Sequence, residues 1–312
     1  MTSEELRISD ELRAPVADGI ELAYQTFGAE GDEPLLLVMG LGGPMNWWDD
    51  GFCSLLAEHG FFVIRYDNRD TGHSGHATGR VSRADLLKAF AGRPVRAPYG
   101  IDDLAADGFA LLDHLGIDSA HLAGISMGGM IVQTMAVDHP ERVRSLTSIM
   151  STTGRRRVGW QHPTLLPRLI AKRASDLEAY VASSVTWGAV IGSPAYPEAE
   201  EKARRRATET WHRGLNPAGV MRHMMAVLTQ PDRTARLGRL DVPTLVVHGT
   251  ADKMVHVSGG RATAAAVSGA ELLLVEGMGH DLPVELWPLI TRAIRRNADR
   301  EPARGAGEAL SR

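Results

Sequence analysis

One serine lies in a motif that could supply a nucleophile. Residues 124–128 read Gly-Ile-Ser-Met-Gly, between an apolar run suited to a buried strand and apolar residues at helical spacing. A turn this sharp needs small neighbours, because a side chain at Gly124 or Gly128 would collide with the adjacent backbone. The turn would hold the Ser126 hydroxyl at a helix N-terminus, where free N–H groups can stabilise an oxyanion. Taken alone, the motif also fits a glycine-rich turn with an incidental serine.

An aspartate and a histidine follow downstream, each just after an apolar run of strand length. Asp252 follows residues 243–248, and His280 follows residues 271–275. A serine hydroxyl needs a base within hydrogen-bond reach, so His280 is the predicted base and Asp252 the predicted acid that orients it. The order Ser, Asp, His, with each residue past the end of a strand, predicts a catalytic triad for acyl transfer.

Other acids and histidines lie close to these positions. Asp281 follows His280 directly, and His248 and His256 lie on either side of Asp252. We rank them below Asp252 and His280 because none has the same spacing after a strand. His280 could also be an ordinary loop histidine, although the glycines at 277 and 279 favour the catalytic interpretation.

An oxyanion hole needs two backbone donors that converge on the developing charge. The amide of Met127, the residue after the serine, is one candidate. The loop at residues 40–44 follows a continuous apolar run and offers the second, for which we favour the Leu41 amide.

Strand-like and helix-like segments alternate over most of the chain, which predicts a mostly parallel sheet with helical crossovers. An Asp-Gly turn near residue 18 predicts an antiparallel hairpin at one edge of the sheet. From about residue 153 to 240 only helical patterns occur, at 175–190, 198–212 and 217–228. We therefore predict a core of residues 1–152 and 241–298, a helical lid at 153–240 (the insertion), and a flexible tail at 299–312.

Composition limits the classes of function. The chain has 312 residues, a formal net charge of −4 and a single cysteine, Cys53, so an intramolecular disulfide is excluded and nucleic-acid binding is disfavoured. No apolar leader is visible at the N-terminus, and no run reaches the roughly 20 apolar residues of a membrane span. We predict a cytoplasmic location, no metal and no cofactor, and leave a homodimer open as a hypothesis.

Four stretches resemble α/β-hydrolase-fold serine esterases, in particular actinobacterial carboxylesterases and lipases and the aclacinomycin methylesterase group. They are Val-Met-Gly at 38–40, the polar run at 63–74, the serine motif at 124–129 and Gly-Met-Gly-His-Asp-Leu-Pro at 277–283. The resemblance implies an α/β-hydrolase fold, Ser126 as nucleophile, Asp252 as acid and His280 as base, with Leu41 and Met127 as oxyanion donors. Most relatives carry a histidine where Met39 stands, although the most similar group has methionine. In the polar run, Asp67 and Arg69 are predicted to pair and brace the neighbouring loops.

Large apolar residues suggest where a substrate would lie. Aromatic residues and methionines suit an adaptable pocket for a bulky apolar ester, although each could instead pack the lid helices together. The predicted pocket residues are Trp48, Trp187, Met221, Met224, Met225 and Leu228. The sequence thus predicts a carboxylic ester hydrolase that acts on a small-molecule ester. The alternatives are hydrolysis of a thioester, lactone or carbon–carbon bond, perhydrolysis, or a ligand sensor without turnover.

Overall fold

The computed structural model describes residues 7–165 and 176–300. Its sheet is built from short runs of apolar residues between turns. The strands are β1 (Leu12–Pro15), β2 (Glu21–Phe27), β3 (Glu33–Val38), β4 (Phe61–Tyr66), β5 (Ala120–Ile125), β6 (Val143–Ile149), β7 (Thr244–Gly249) and β8 (Glu271–Val275).

All eight strands form one sheet in the order β1-β2-β4-β3-β5-β6-β7-β8. β1 pairs with β2, and β2 with β4, in antiparallel fashion, and every other neighbouring pair is parallel. The predicted hairpin therefore lies at one edge, with its turn at Ala17–Gly19. In the parallel part, β3, β5, β6, β7 and β8 end at the same edge of the sheet, which is where open α/β sheets bind ligands.

Helices connect and cover the strands. They are α1 (Asp50–Glu58), α2 (Arg83–Phe90), α3 (Ile101–His114), α4 (Met127–Asp138), α5 (Leu177–Ile191), α6 (Glu200–Arg213), α7 (Pro217–Thr229), α8 (Thr234–Leu237), α9 (Ser258–Ala266) and α10 (Trp287–Ala298).

The core lies in two layers, one on each face of the sheet. Along β3, Leu35 and Leu37 pack into one cluster with side chains of α1 and α10, whereas Leu36 and Val38 pack into the other with α3 and α4. This alternation follows from the two-residue period of a strand. Both faces of the central strands are covered, which explains why their sequences are continuously apolar. The predicted α/β class, a mostly parallel sheet flanked by helices, is confirmed.

Between β6 and β7 the described chain contains helices α5 to α8 and no strand. Three of these helices match the predicted helical patterns to within about two residues. The first pattern begins at residue 175, which lies outside the described residues, as does the predicted tail from 301 onward.

Candidate active site

The Ser126 backbone has φ 57° and ψ −117°, a conformation that L-residues rarely adopt, and α4 begins at the next residue. A Cβ on Gly124 would lie 2.2 Å from the Gly128 carbonyl oxygen, and a Cβ on Gly128 would lie 2.0 Å from the Val38 carbonyl oxygen. Only glycine fits at either position. The sequence around Ser126 therefore permits a sharp turn that lifts the serine off the end of β5.

The turn is also fixed from the neighbouring strand. The Ser126 amide donates to the Ile149 carbonyl at 2.9 Å, and the Ser151 hydroxyl donates to the Ser126 carbonyl at 2.7 Å. The nucleophile candidate is thus anchored by its own backbone on the end of β6.

Asp252 and His280 are in direct contact. The Asp252 Oδ2 atom lies 2.8 Å from Nδ1 of His280, while Oδ1 accepts the Met254 and Val255 amides at 2.8 and 2.9 Å. The aspartate is 5% exposed, and the histidine is partly exposed. A fixed carboxylate therefore orients an imidazole that solvent or a ligand can reach.

The electrostatics of Asp252 suit this role. Burial alone would raise the pKa of the carboxyl group, but the charge of His280 and hydrogen bonds from His248 and His280 outweigh burial. The pKa of Asp252 is held well below its ordinary value of 3.8. The carboxylate is therefore ionised throughout the neutral range and can stabilise a protonated His280.

Asp281 contacts a different partner from Asp252. Its Oδ1 atom accepts the Ser193 hydroxyl at 2.5 Å, and that hydroxyl accepts the Gly279 amide at 2.8 Å. Burial raises the pKa of Asp281 above 3.8. Asp281 therefore links the His280 loop to the chain after α5.

Neither neighbouring histidine of Asp252 has the geometry of the base. His248 is fully buried, with Nε2 2.8 Å from the Val255 carbonyl and 3.5 Å from Asp252 Oδ2. His256 stacks on Trp160, with ring centroids 4.2 Å apart. His248 therefore lies beside the same carboxylate oxygen that His280 contacts, but at a longer distance and without exposure to solvent.

The sheet brings these loops to one edge. Ser126 follows β5, Asp252 lies just beyond β7 and His280 just beyond β8, and these strands run parallel with β6 between β5 and β7. The Ala251 amide donates to the Met278 carbonyl at 3.0 Å, so the aspartate and histidine loops are joined. Ser126, Asp252 and His280 therefore all lie at the carboxyl edge of the sheet.

The loop after β3 lies directly against the serine. A Cβ on Gly40 would be 3.2 Å from the Ser126 Cβ and 3.8 Å from its Oγ. The Gly43 amide donates to the Gly40 carbonyl at 3.2 Å, which closes a tight turn around Leu41. Met127 opens α4, so its amide has no partner within the helix. Both predicted oxyanion donors therefore come from segments that flank Ser126.

The predicted pair of Asp67 with Arg69 is wrong. Arg213, the last residue of α6, donates from Nη2 and Nε to Asp67 Oδ2 at 2.7 and 2.9 Å. Arg69 forms two 2.6 Å hydrogen bonds with Asp107 of α3. Each charged group thus has a bidentate partner on a helix, and such pairs are among the strongest hydrogen-bonded contacts.

A third buried ion pair was also not predicted from the sequence. Arg222 of α7 donates to both carboxylate oxygens of Asp70, at 2.7 and 2.5 Å, and the Tyr99 hydroxyl donates to the same group at 2.7 Å. Burial alone would raise the pKa of Asp70, but these donors outweigh it and lower the pKa. The loop after β4 is therefore attached to the insertion by buried charges on α6 and α7.

The predicted pocket residues occupy different environments. Trp48 is 0% exposed and stacks on Phe52 in the core cluster beneath α1, so it lies in the core and not at the surface. Met225 is likewise 0% exposed, whereas Trp187, Met221, Met224 and Leu228 are partly exposed.

Helix α7 lies against the loop after β3. A Cβ on Gly42 would be only 2.9 Å from a Val220 methyl group. Met224 follows Val220 by one helical turn and shares its face.

The part of the chain that the structure describes contains neither a cluster of metal-ligating side chains nor a membrane-spanning helix. Over 7–165 and 176–300, no three or more His, Cys, Asp or Glu side chains are grouped so that they could hold a metal ion. Within the same ranges, no helix has both the length and the apolar character needed to cross a bilayer.

Comparisons with known proteins agree with this architecture. A family model described as alpha/beta hydrolase fold matches residues 33–285. Rhodomycin D methylesterase from Streptomyces peucetius is 30% identical over 297 residues, which cover 89% of this chain and 94% of that protein. 3-Oxoadipate enol-lactonase 2 from Acinetobacter baylyi is 28% identical over 247 residues, 78% of this chain and 81% of that one. The crystal structure of a hydrolase from Pseudomonas aeruginosa superposes with a TM-score of 0.72 at 26% identity, covering 94% of this chain and 99% of that one.

Proposed function

Because the chain belongs to the alpha/beta hydrolase fold family, we propose that it is a carboxylic ester hydrolase with a Ser126–His280–Asp252 triad. The observation that carries this proposal is the contact of 2.8 Å between Asp252 and the partly exposed His280, at the sheet edge where Ser126 also lies. A nucleophile on a strained turn, an imidazole and a buried carboxylate are the parts that acyl transfer needs.

The reaction proceeds in two halves. Ser126 Oγ attacks the ester carbonyl carbon while Nε2 of His280 takes the hydroxyl proton. The carbon–oxygen bond to the alcohol then breaks, and His280 returns the proton to the leaving alkoxide. Water next attacks the acyl group, gives its proton to His280 and releases the acid, after which the proton returns to Ser126.

Charge that develops on the carbonyl oxygen is stabilised by the amides of Leu41 and Met127. The contact of Gly40 with Ser126 supports Leu41 as the second donor, since that contact brings the loop to within van der Waals distance of the nucleophile. Asp252 keeps the proton of neutral His280 on Nδ1, which leaves Nε2 free to act as base.

The insertion is the proposed lid over this edge, and the substrate is proposed to be a fairly apolar ester. The methylesterase named above supports ester cleavage, because its similarity extends over most of both chains. Partly exposed apolar residues on α7, next to the loop after β3, support an apolar site. A cytoplasmic location remains part of this proposal.

Lactone hydrolysis is the second candidate, favoured by the similarity to an enol-lactonase. The same triad would open a ring instead of releasing a separate alcohol. Initial rates on matched methyl esters, p-nitrophenyl esters and lactones would separate the two. A kcat/KM for lactones above that for every ester would reverse the preference proposed here.

The decisive experiment compares the wild-type protein with Ser126→Ala on a panel of p-nitrophenyl esters of two to twelve carbons. Saturable hydrolysis that disappears in the variant is the expected result. Binding of the esters without turnover in the wild-type protein would instead favour a ligand sensor and contradict the proposal.

A further inference from the structure

A buried histidine of the insertion contacts the loop next to Ser126. His223 lies on α7 and is 0% exposed. The Gly42 amide donates to its Nδ1 at 3.2 Å, and its Nε2 donates to the Arg69 carbonyl at 2.9 Å. One imidazole therefore bridges the loop after β3 and the loop after β4.

The two partners fix the protonation state of this histidine. A carbonyl oxygen can only accept, so the proton is on Nε2, and Nδ1 must offer its lone pair to the Gly42 amide. Burial lowers the pKa of His223 to about 4, because the charged form would lose its hydration. The neutral imidazole is therefore present at any pH near neutrality.

The surroundings of His223 leave little freedom of movement. The preceding residue, Arg222, is held by the buried carboxylate of Asp70. The Tyr99 ring meets the imidazole edge-on, with centroids 6.1 Å apart. The side chain is thus fixed on the core even though its helix belongs to the insertion.

Gly42 forms a tight turn together with Leu41. Its φ is +64°, and it lies in the turn closed by the Gly43 amide and the Gly40 carbonyl. A displacement of Gly42 would rotate the peptide units on either side, including the one that precedes it and carries the Leu41 carbonyl. Leu41 lies in the same turn, so the bond from the Gly42 amide to His223 ties the backbone of this turn to the insertion.

We propose that His223 is a positioning residue that holds Gly42 and thereby aims the Leu41 amide at the oxyanion beside Ser126. The inference rests on the proposed function, because it assigns the insertion a part in the same site. The insertion then completes the catalytic geometry as well as covering it.

Two substitutions separate the two hydrogen bonds of His223. In His223→Asn, the side-chain oxygen can take the place of Nδ1 and accept from Gly42, but the bond to Arg69 is lost. In His223→Gln, the longer amide can take the place of Nε2 and donate to Arg69, but the acceptor for Gly42 is lost. His121→Gln, at a buried histidine of β5 that bonds to Ser145, is a matched control for the loss of a core histidine.

We expect His223→Gln to lower kcat by about 10- to 100-fold with KM changed less than about threefold, since full loss of one oxyanion donor costs about 10²–10³ in kcat. His223→Asn should stay within about threefold of the wild-type kcat, and His121→Gln should lower thermal stability without changing kcat. An equal loss of kcat in both His223 variants, or wild-type kcat in His223→Gln, would overturn the proposal.

Amide hydrogen exchange at Gly42, followed by NMR, tests the contact without using activity. The Gly42 amide of the wild-type protein should be protected, and protection should fall in His223→Gln but remain in His223→Asn. An unprotected Gly42 amide in the wild-type protein would refute the inference even if neither variant folded. Absence of ester hydrolysis by a wild-type protein with a protected Gly42 would instead refute the proposed function.

Discussion

Asp252 Oδ2 lies 2.8 Å from Nδ1 of His280, although the two residues are 28 positions apart in the sequence. Asp281 is instead bonded to Ser193, in the chain that follows α5. The acid of the proposed triad is thus provided by the loop after β7, whereas the carboxylate of Asp281, next to His280 in the sequence, fixes the His280 loop.

Because the two carboxylates have different partners, we expect their matched substitutions to lower kcat by very different factors. Asp252→Asn should lower kcat by about 10³- to 10⁴-fold, as loss of a triad carboxylate does by leaving the histidine in the wrong tautomer. Asp281→Asn should lower kcat less than about tenfold, because an amide can still accept from Ser193. Steady-state kinetics of both variants check the assignment, and the reverse order would make Asp281 the acid.

Ser126→Ala and His280→Ala should each reduce kcat by several orders of magnitude, and the double variant should be little worse, because the two residues act as a unit. A fluorophosphonate should label the wild-type protein at Ser126 in a 1:1 ratio. Peptide mapping by mass spectrometry checks the site. An adduct on another serine would refute Ser126 as the nucleophile.

Met224 and Met225 are adjacent but should respond differently to alanine. Met224 is partly exposed on the α7 face near Gly42, so Met224→Ala should shift the preference between long and short esters by about 1–3 kcal/mol in kcat/KM. Met225 is fully buried, so Met225→Ala should lower the free energy of unfolding by about 2–5 kcal/mol. Unchanged chain-length preference in Met224→Ala would show that the pocket lies elsewhere.

Cys53 should take no part in the reaction. Its thiol is fully buried on α1, and burial raises its pKa to about 12. A thiol-specific reagent should therefore leave the native protein active and unlabelled at neutral pH and react with one thiol after denaturation. Rapid inactivation of the native protein by the reagent would contradict this prediction.

Stability should fall as pH falls from about 6.5 toward 4. Burial lowers the pKa of both His121 and His223 to about 4, so in this window the unfolded chain binds protons that the folded protein excludes. Each group adds a slope of up to about 1.4 kcal/mol per pH unit, with stability fully present above the unfolded pKa. Denaturant unfolding at pH 7 and pH 5 measures the loss, and His121→Gln should reduce its slope. An identical slope in that variant would exclude His121 as a source.

Local features of the sequence determined the strands, the helices and the proposed reacting groups. A strand that is buried on both faces has a continuous apolar sequence, and a helix with one buried side has apolar residues at helical spacing. Both patterns can be recognised without the structure. Close contacts with nearby backbone leave no room for a side chain at positions 124 and 128. The turn at Ser126 can therefore be predicted from the five residues 124–128 alone. Asp252 and His280 could be found because each follows a strand, and parallel strands end at one edge.

Only the tertiary structure decided the partners of the buried polar groups. Arg213 lies 146 residues from Asp67, Arg222 lies 152 from Asp70, and His223 lies 181 from Gly42. No periodicity links such positions, because each bond depends on how the insertion docks on the core. The position of Trp48 was undecided for the same reason. Its apolar side chain suits a pocket or a core, and only the packing of α1 shows that it lies in the core.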